Sequence, residues 1–179
     1  MGPLTEKIML NALQSLDQKL TEASLKVSLI MGGGGAMILA HHFPKGTTDI
    51  DAIPKGQSPE VLDSFVKAVA KELGIEPDWL NPYFSTFAMT LPQDYSSRLI
   101  RVFDGIHLTV DALGKEEMLI MKCFAHRSKD IPHARALLKG GVKLELVENR
   151  LNELLKKKIP NTQKAIDFLQ DLLDEMDGE

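Results

Sequence analysis

A chain of 179 residues that is 44% hydrophobic can bury one good core but is too short for two large independent domains. Its net charge of −4 excludes a protein that coats nucleic acid by bulk electrostatics. The single cysteine, Cys123, excludes an internal disulfide; with no apolar leader in MGPLTEKIML and no run near the roughly 18 apolar residues of a membrane span, a cytoplasmic protein without membrane association is expected.

LTEKIMLNALQSLDQKLTEAS predicts an amphipathic helix with Ile8, Leu10, Leu13, Leu16 and Leu20 on its apolar face. KVSLIMG reads as a short buried strand ending in four glycines, Gly32 to Gly35. AMILAHHF then has helical composition, with His41 and His42 near the helix end, and TTDIDAI returns to strand alternation. SPEVLDSFVKAVAKELG predicts a helix with Ser58 as N-cap, Pro59 at its first position and Gly74 just past its end. STFAMTL and RLIRVF are strand candidates. RLIRVF meets IHLTVDAL across Asp104-Gly105, a hairpin signal because both residues tolerate positive φ.

KEEMLIMKCFA and IPHARALLK predict two helices flanking HRSKD, and LELVENRLNELLKKK and NTQKAIDFLQDLLDEM two more on either side of Pro160. The fold class expected is α+β: a small mixed β-sheet flanked by helices, followed by C-terminal helices. Residues 1–141 form the expected main domain and residues 142–179 a helical extension packed on it. Seven Lys or Arg residues between Lys115 and Lys143 suit a polyphosphate or an RNA end, or simply a solvated helix face.

Strand alternation places Asp49 and Asp51 on one side, about 7 Å apart along the backbone. Two such carboxylates repel each other unless a cation lies between them, and magnesium, a hard ion that shares its coordination with phosphates, suits them; an exposed strand face is the plain alternative. Glycines just before a helix let phosphate oxygens approach the backbone. Asp111, at the end of a predicted strand and sharing a face with His107 and Thr109, is a candidate third carboxylate for a metal pair. GGGGAM lacks the Lys-Ser/Thr of a P-loop, and the chain has no zinc motif. Trp79 and Phe84 read as packing residues.

The pattern G-G-x-A, a spacer and T-x-D-I-D, here Gly33, Gly34 and Ala36 followed by Thr47, Asp49, Ile50 and Asp51, resembles the nucleotidyltransferase fold of the DNA polymerase β superfamily. More narrowly it resembles AbiEii-type toxins and the uncharacterised bacterial nucleotidyltransferase-like families around them. PDWLN, from Pro77 to Asn81, and EEMLIMKCFAHRSKDIPHARALL resemble further segments of such a family, and the resemblance spans roughly Ser28 to Gly141. It implies that Asp49 and Asp51 bind magnesium in a two-ion site completed by Asp111. It further implies that Gly33, Gly34 and Thr47 belong to the nucleotide-binding turn, that Lys122 with Arg127 contacts the nucleotide phosphates, and that Asp130 matches the acidic residue of the last motif. On their own residues, Asp130 also reads as a helix N-cap and Lys122 as a side chain snorkelling from an apolar helix.

The function so implied is Mg2+-dependent transfer of a nucleoside monophosphate from a nucleoside triphosphate to an acceptor hydroxyl on tRNA or protein. A toxin-antitoxin or defence role and an antitoxin partner come with the resemblance. The alternative is a non-catalytic nucleotide-binding, regulatory or interaction protein of the same fold.

Overall fold

The structure, a computed structural model, describes residues 2–82 and 88–178. By backbone contacts the chain divides into one unit made of Met1–Ser85 and Leu99–Leu113 and another made of Thr86–Arg98 and Gly114–Glu179.

In the first unit, the Thr5 hydroxyl accepts the Ile8 N–H at 3.4 Å and opens helix α1, Glu6–Glu22. Its buried stripe runs through Met9, Leu13, Leu16 and Leu20, a spacing of four, three and four. Each contributes roughly 2 kcal/mol by leaving water. Ile8 and Leu10, expected on that stripe, are exposed and half-buried, because Met9 lies a full turn before Leu13 and they flank it.

Strand β1, Val27–Met31, is the centre of a five-stranded mixed sheet with β2, Ile50–Pro54, β3, Leu80–Asn81, β4, Ile100–Asp104, and β5, Leu108–Ala112, in the order β3-β2-β1-β5-β4. β1 runs antiparallel to β2 and parallel to β5. Helix α2, Gly33–Leu39, begins inside the glycine run and stops before the two histidines. His42 takes a left-handed conformation, while the His41 ring bonds the Leu113 carbonyl at 2.9 Å. Pro59–Leu62 form a 3-10 turn leading into α3, Asp63–Leu73, which Gly74 ends at φ +62; Ser58 makes no side-chain cap. Trp79 is fully buried, and its indole donates to the Val66 carbonyl at 3.0 Å.

The β4–β5 hairpin forms as expected, by a different device. Neither Asp104 nor Gly105 has positive φ. Instead, the buried Asp17 of α1 accepts the backbone N–H groups of Ile106 at 3.1 Å and of His107 and Leu108 at 2.8 Å. A Cβ on Gly105 would overlap that carboxylate, so glycine is required for close approach. Burial pushes the Asp17 carboxyl up, but the three N–H donors outweigh it and hold its pKa below the ordinary value.

The second unit is helical. Helix α4, Lys115–Ala125, is buried at every position from Glu116 to Phe124, and α5, Ile131–Lys139, α6, Leu144–Lys156, and α7, Thr162–Asp177, pack around it. Two of its buried carboxylates meet donors: Glu116 accepts the Lys143 N–H at 2.9 Å, and Glu117 Oε1 pairs with Arg98 at 2.6 Å. Where a strand was expected, Ala88–Thr90 form a 3-10 turn; Ser85 to Phe87 of that expected strand, and Phe84, lie outside the described residues. The buried Arg150 holds this segment by donating to the carbonyls of Thr90 at 2.9 Å and Leu91 at 2.7 Å, taking up backbone acceptors that no ladder satisfies. Among the described residues no helix is long and apolar enough to cross a membrane.

Candidate active site

The glycine run and T-T-D-I-D form one packed unit. At the end of β1, the Gly32 N–H donates to the Asp51 carbonyl at 2.8 Å and carries the β1–β2 pairing one residue further. Gly33 then turns at φ +59, and a Cβ there would overlap Asp51 Oδ2. At Gly34 a Cβ would overlap the Thr47 hydroxyl and stand 2.8 Å from Thr47 Cβ. Gly35 meets Met31 Sδ at 3.2 Å, a softer neighbour. Two of the four glycines are thus required by the side chains of Thr47 and Asp51 themselves, which fill the space a Cβ would take.

Asp51 lies opposite Asn81 in the β2–β3 pairing, and its Oδ1 accepts the Asn81 amide at 3.1 Å. Asp49 precedes β2 by one residue and its Oδ1 accepts the Thr48 hydroxyl at 2.9 Å. Both aspartates are half-buried. A cleft of about 400 Å³ opens beside Asp49, lined among others by Asp63, Lys67, Asp78 and Asn81. Thr47 is anchored through its backbone, exchanging N–H···O bonds with Leu4 at 2.7 and 3.1 Å.

Asp111 is on the face of the sheet shared by Asp51, because it lies opposite Ile30, which lies opposite Ile53, two residues beyond Asp51. Its carboxylate is engaged by Arg101, whose Nε stands 2.5 Å from Oδ1 and whose Nη2 stands 3.5 Å from Oδ2. The same guanidinium reaches Asp104 through Nη1 at 2.7 Å. Among the described residues no three His, Cys, Asp or Glu side chains stand together as a metal cluster. Asp49 and Asp51, two half-buried carboxylates at i and i+2, are of the hard oxygen kind that magnesium takes.

Lys122, Arg127 and Asp130 meet in the second unit. Lys122 Nζ is 2.8 Å from Asp130 Oδ1, Arg127 Nε is 2.7 Å from Oδ2, and both Lys122 and Asp130 are buried. Asp130 makes no N-capping bond, because both its oxygens face these two cations. Burial pushes its carboxyl up, but Arg127 and Lys122 together hold its pKa below the ordinary value.

Sequence reasoning missed Asn81 and Arg101. Asn81 stands in PDWLN, but its partner is 30 residues away and a two-residue strand leaves no alternation to read. The signal for Arg101 is hidden by a register shift. Phe103 pairs with Val110 and Asp104 with Thr109, a register that would carry Arg101 to Ala112; a bulge between Arg101 and Phe103 moves it to Asp111.

The family model described as "Nucleotidyltransferase of unknown function (DUF6036)" matches residues 8–174. A search among curated proteins finds no match. Among solved structures, the chain is similar to the crystal structure of an antigenic nucleotidyltransferase-like protein from Paracoccidioides brasiliensis, at 14% identity and a TM-score of 0.49, over 92% of this chain and 94% of that one.

Proposed function

We propose that this chain, which belongs to the family Nucleotidyltransferase of unknown function (DUF6036), transfers a nucleoside monophosphate from a nucleoside triphosphate to an acceptor hydroxyl. The observation that carries the reading is the packing of Gly33 and Gly34 against Asp51 and Thr47, which brings the glycine turn directly against the aspartate strand. Magnesium, bound through Asp49 and Asp51, would supply charge neutralisation on the triphosphate and polarise the reacting phosphoryl group. The glycine turn, packed against Thr47 and Asp51, would offer backbone N–H groups to the phosphates beside the carboxylates. Asn81 keeps Asp51 in place by donating to Oδ1. In the transfer the bond from the acceptor oxygen to the α-phosphorus forms and the bond from that phosphorus to the bridging oxygen of the β-phosphate breaks. Pyrophosphate leaves and the hydroxyl proton passes to solvent. The chain's contribution is positioning and electrostatics.

The likeness of the motif to AbiEii-type toxins favours an RNA end or a protein as acceptor, an antitoxin as partner and the cytoplasm as setting. It also carries Lys122 and Arg127 to the nucleotide phosphates, with Asp130 holding both cations. A second reading, nucleotide binding without turnover, is favoured by one observation: the Asp111 carboxylate is engaged by Arg101.

The test is incubation with each α-labelled triphosphate, magnesium, and total RNA or the protein itself, followed by a search for transferred label. Transfer that disappears in D49A and D51A, with far-UV circular dichroism unchanged, supports the enzyme. Full transfer by D49A overturns the assignment of these residues, and magnesium-dependent stabilisation by triphosphate with no labelled product favours the second reading.

A further inference from the structure

Ile8 and Leu73 are apolar residues that stop short of the core: Ile8 is 36% exposed and Leu73 is half-buried. Both line a cavity of about 720 Å³ in the first unit, where the start of α1, the end of α3 and the loop carrying Thr48 meet. Small-molecule sites span roughly 300–1,000 Å³, so the cavity has the size of one. The cleft beside Asp49 shares none of its lining residues, and the two are separate hollows.

Particular residues hold the walls in place. Gly74 ends α3 at a left-handed φ of +62, and the Ile75 N–H then returns to the Ala70 carbonyl at 3.1 Å, which leaves Leu73 and Ile75 together on one wall. On another wall, Leu4 exchanges backbone bonds with Thr47 at 2.7 and 3.1 Å. Gly46 permits this, because a Cβ there would stand 2.7 Å from Pro3 Cβ and 3.0 Å from the Leu4 carbonyl oxygen.

The polar groups of the lining are few and balanced in charge. Lys7 and Asn11 lie one turn apart on one face of α1, Glu76 follows α3, and Thr48 comes from the loop. One cation and one anion leave no net charge, whereas a phosphate chain is held by several charge-assisted bonds or a metal. An apolar body gains by leaving water for Leu4, Ile8, Leu73 and Ile75. The Asn11 amide and the Thr48 hydroxyl each offer both a donor and an acceptor to a polar edge.

We infer that this cavity is a second binding site, which takes a small uncharged molecule with an apolar body and one hydrogen-bonding edge. The body lies on the aliphatic walls and the edge meets Asn11 and Thr48. The site is independent of the nucleotidyl transfer proposed above, since neither Asp49 nor Asp51 lines it.

Equilibrium dialysis of the full chain against 2-(1-naphthyl)ethanol, without nucleotide or metal, tests this. The wild type is expected to bind one equivalent. I8D sets a charge on the apolar wall and is expected to weaken binding by about tenfold or more. Ile8 is exposed and an acidic residue suits the first turn of a helix, so α1 should be retained. N11L keeps the wall but removes the amide, and is expected to weaken binding roughly threefold to tenfold. L146D, at an exposed leucine of the second unit, should bind as the wild type does. No binding by the wild type, equal binding by I8D, or an equal loss in L146D overturns the site. Displacement of the probe by ATP, or tighter binding of the matching anion 1-naphthylacetate, overturns the uncharged class given to its ligand.

Discussion

Gly33 has no side chain because Asp51 occupies the place where one would be: a Cβ built at Gly33 overlaps Asp51 Oδ2. Gly33 also turns at φ +59, so alanine there meets two obstacles, the left-handed backbone and the carboxylate. Gly56 separates them, having φ +73 and nothing within 4 Å of a built Cβ. G56A is expected to cost roughly 1–2 kcal/mol of backbone strain alone. G33A should cost clearly more and should also weaken Mn2+ binding, because Asp51 must swing aside. Thermal melts and Mn2+ titration of the two variants check this; equal losses of stability with unaltered Mn2+ binding would mean that Asp51 yields freely.

Asp17 ties α1 to the β4–β5 loop through three backbone N–H groups. D17N retains one acceptor oxygen and is expected to lose about 1–3 kcal/mol at neutral pH, since buried donors are left without a partner. The Asp17 carboxyl has a folded pKa below its unfolded value of about 3.9. Its stabilisation is therefore fully present above that unfolded value and is lost as pH falls through the folded one. Urea melts of D17N between about pH 6 and pH 3 should show a shallower loss of stability on acidification than the wild type. Parallel losses would assign the acid sensitivity to other groups.

Asp130 obeys the same sign, since Arg127 and Lys122 keep it ionised despite burial. D130A leaves the buried Lys122 ammonium without its counter-ion and is expected to cost roughly 3–5 kcal/mol. K122M should cost less, because Arg127 still neutralises Asp130 and the methionine stem refills the apolar space. Denaturant melts rank the two. If K122M folds well and loses triphosphate binding, Lys122 serves the nucleotide; if binding persists, its role is confined to the Asp130 ion pair.

Cys123 is buried in the last turn of α4, and burial pushes its thiol up to about 12. Almost no thiolate exists near neutrality, so the native chain should not react with Ellman's reagent at about pH 8 and should react with one equivalent in denaturant. Rapid labelling of the native chain would mean that α4 opens on the timescale of the reaction.

Most of the elements could be read directly, because each rests on information local to its own segment. Helix α1 declares itself through its apolar spacing, α3 through Gly74, the second-unit helices through their periodicity, and the β4–β5 hairpin through its two alternating runs. The nearness of the glycines to Asp49 and Asp51 is also local, since the motif spans only Gly33 to Asp51. The misread parts have long-range causes. Asp17 acts on backbone about 90 residues away, and Arg150 on carbonyls about 60 away, distances at which periodicity carries no signal.

The residue types of the candidate site, two aspartates at strand spacing behind a glycine turn, were determined by the sequence alone, since side-chain alternation and the bare backbone of glycine need no tertiary context. What each group faces was decided by the tertiary structure. One extra residue in β4 turns Arg101 to the face of Asp111, so the carboxylate that reads in sequence as a metal ligand also meets a guanidinium. A strand's face is inverted by a single-residue shift, and such a shift exists only once the strands have paired.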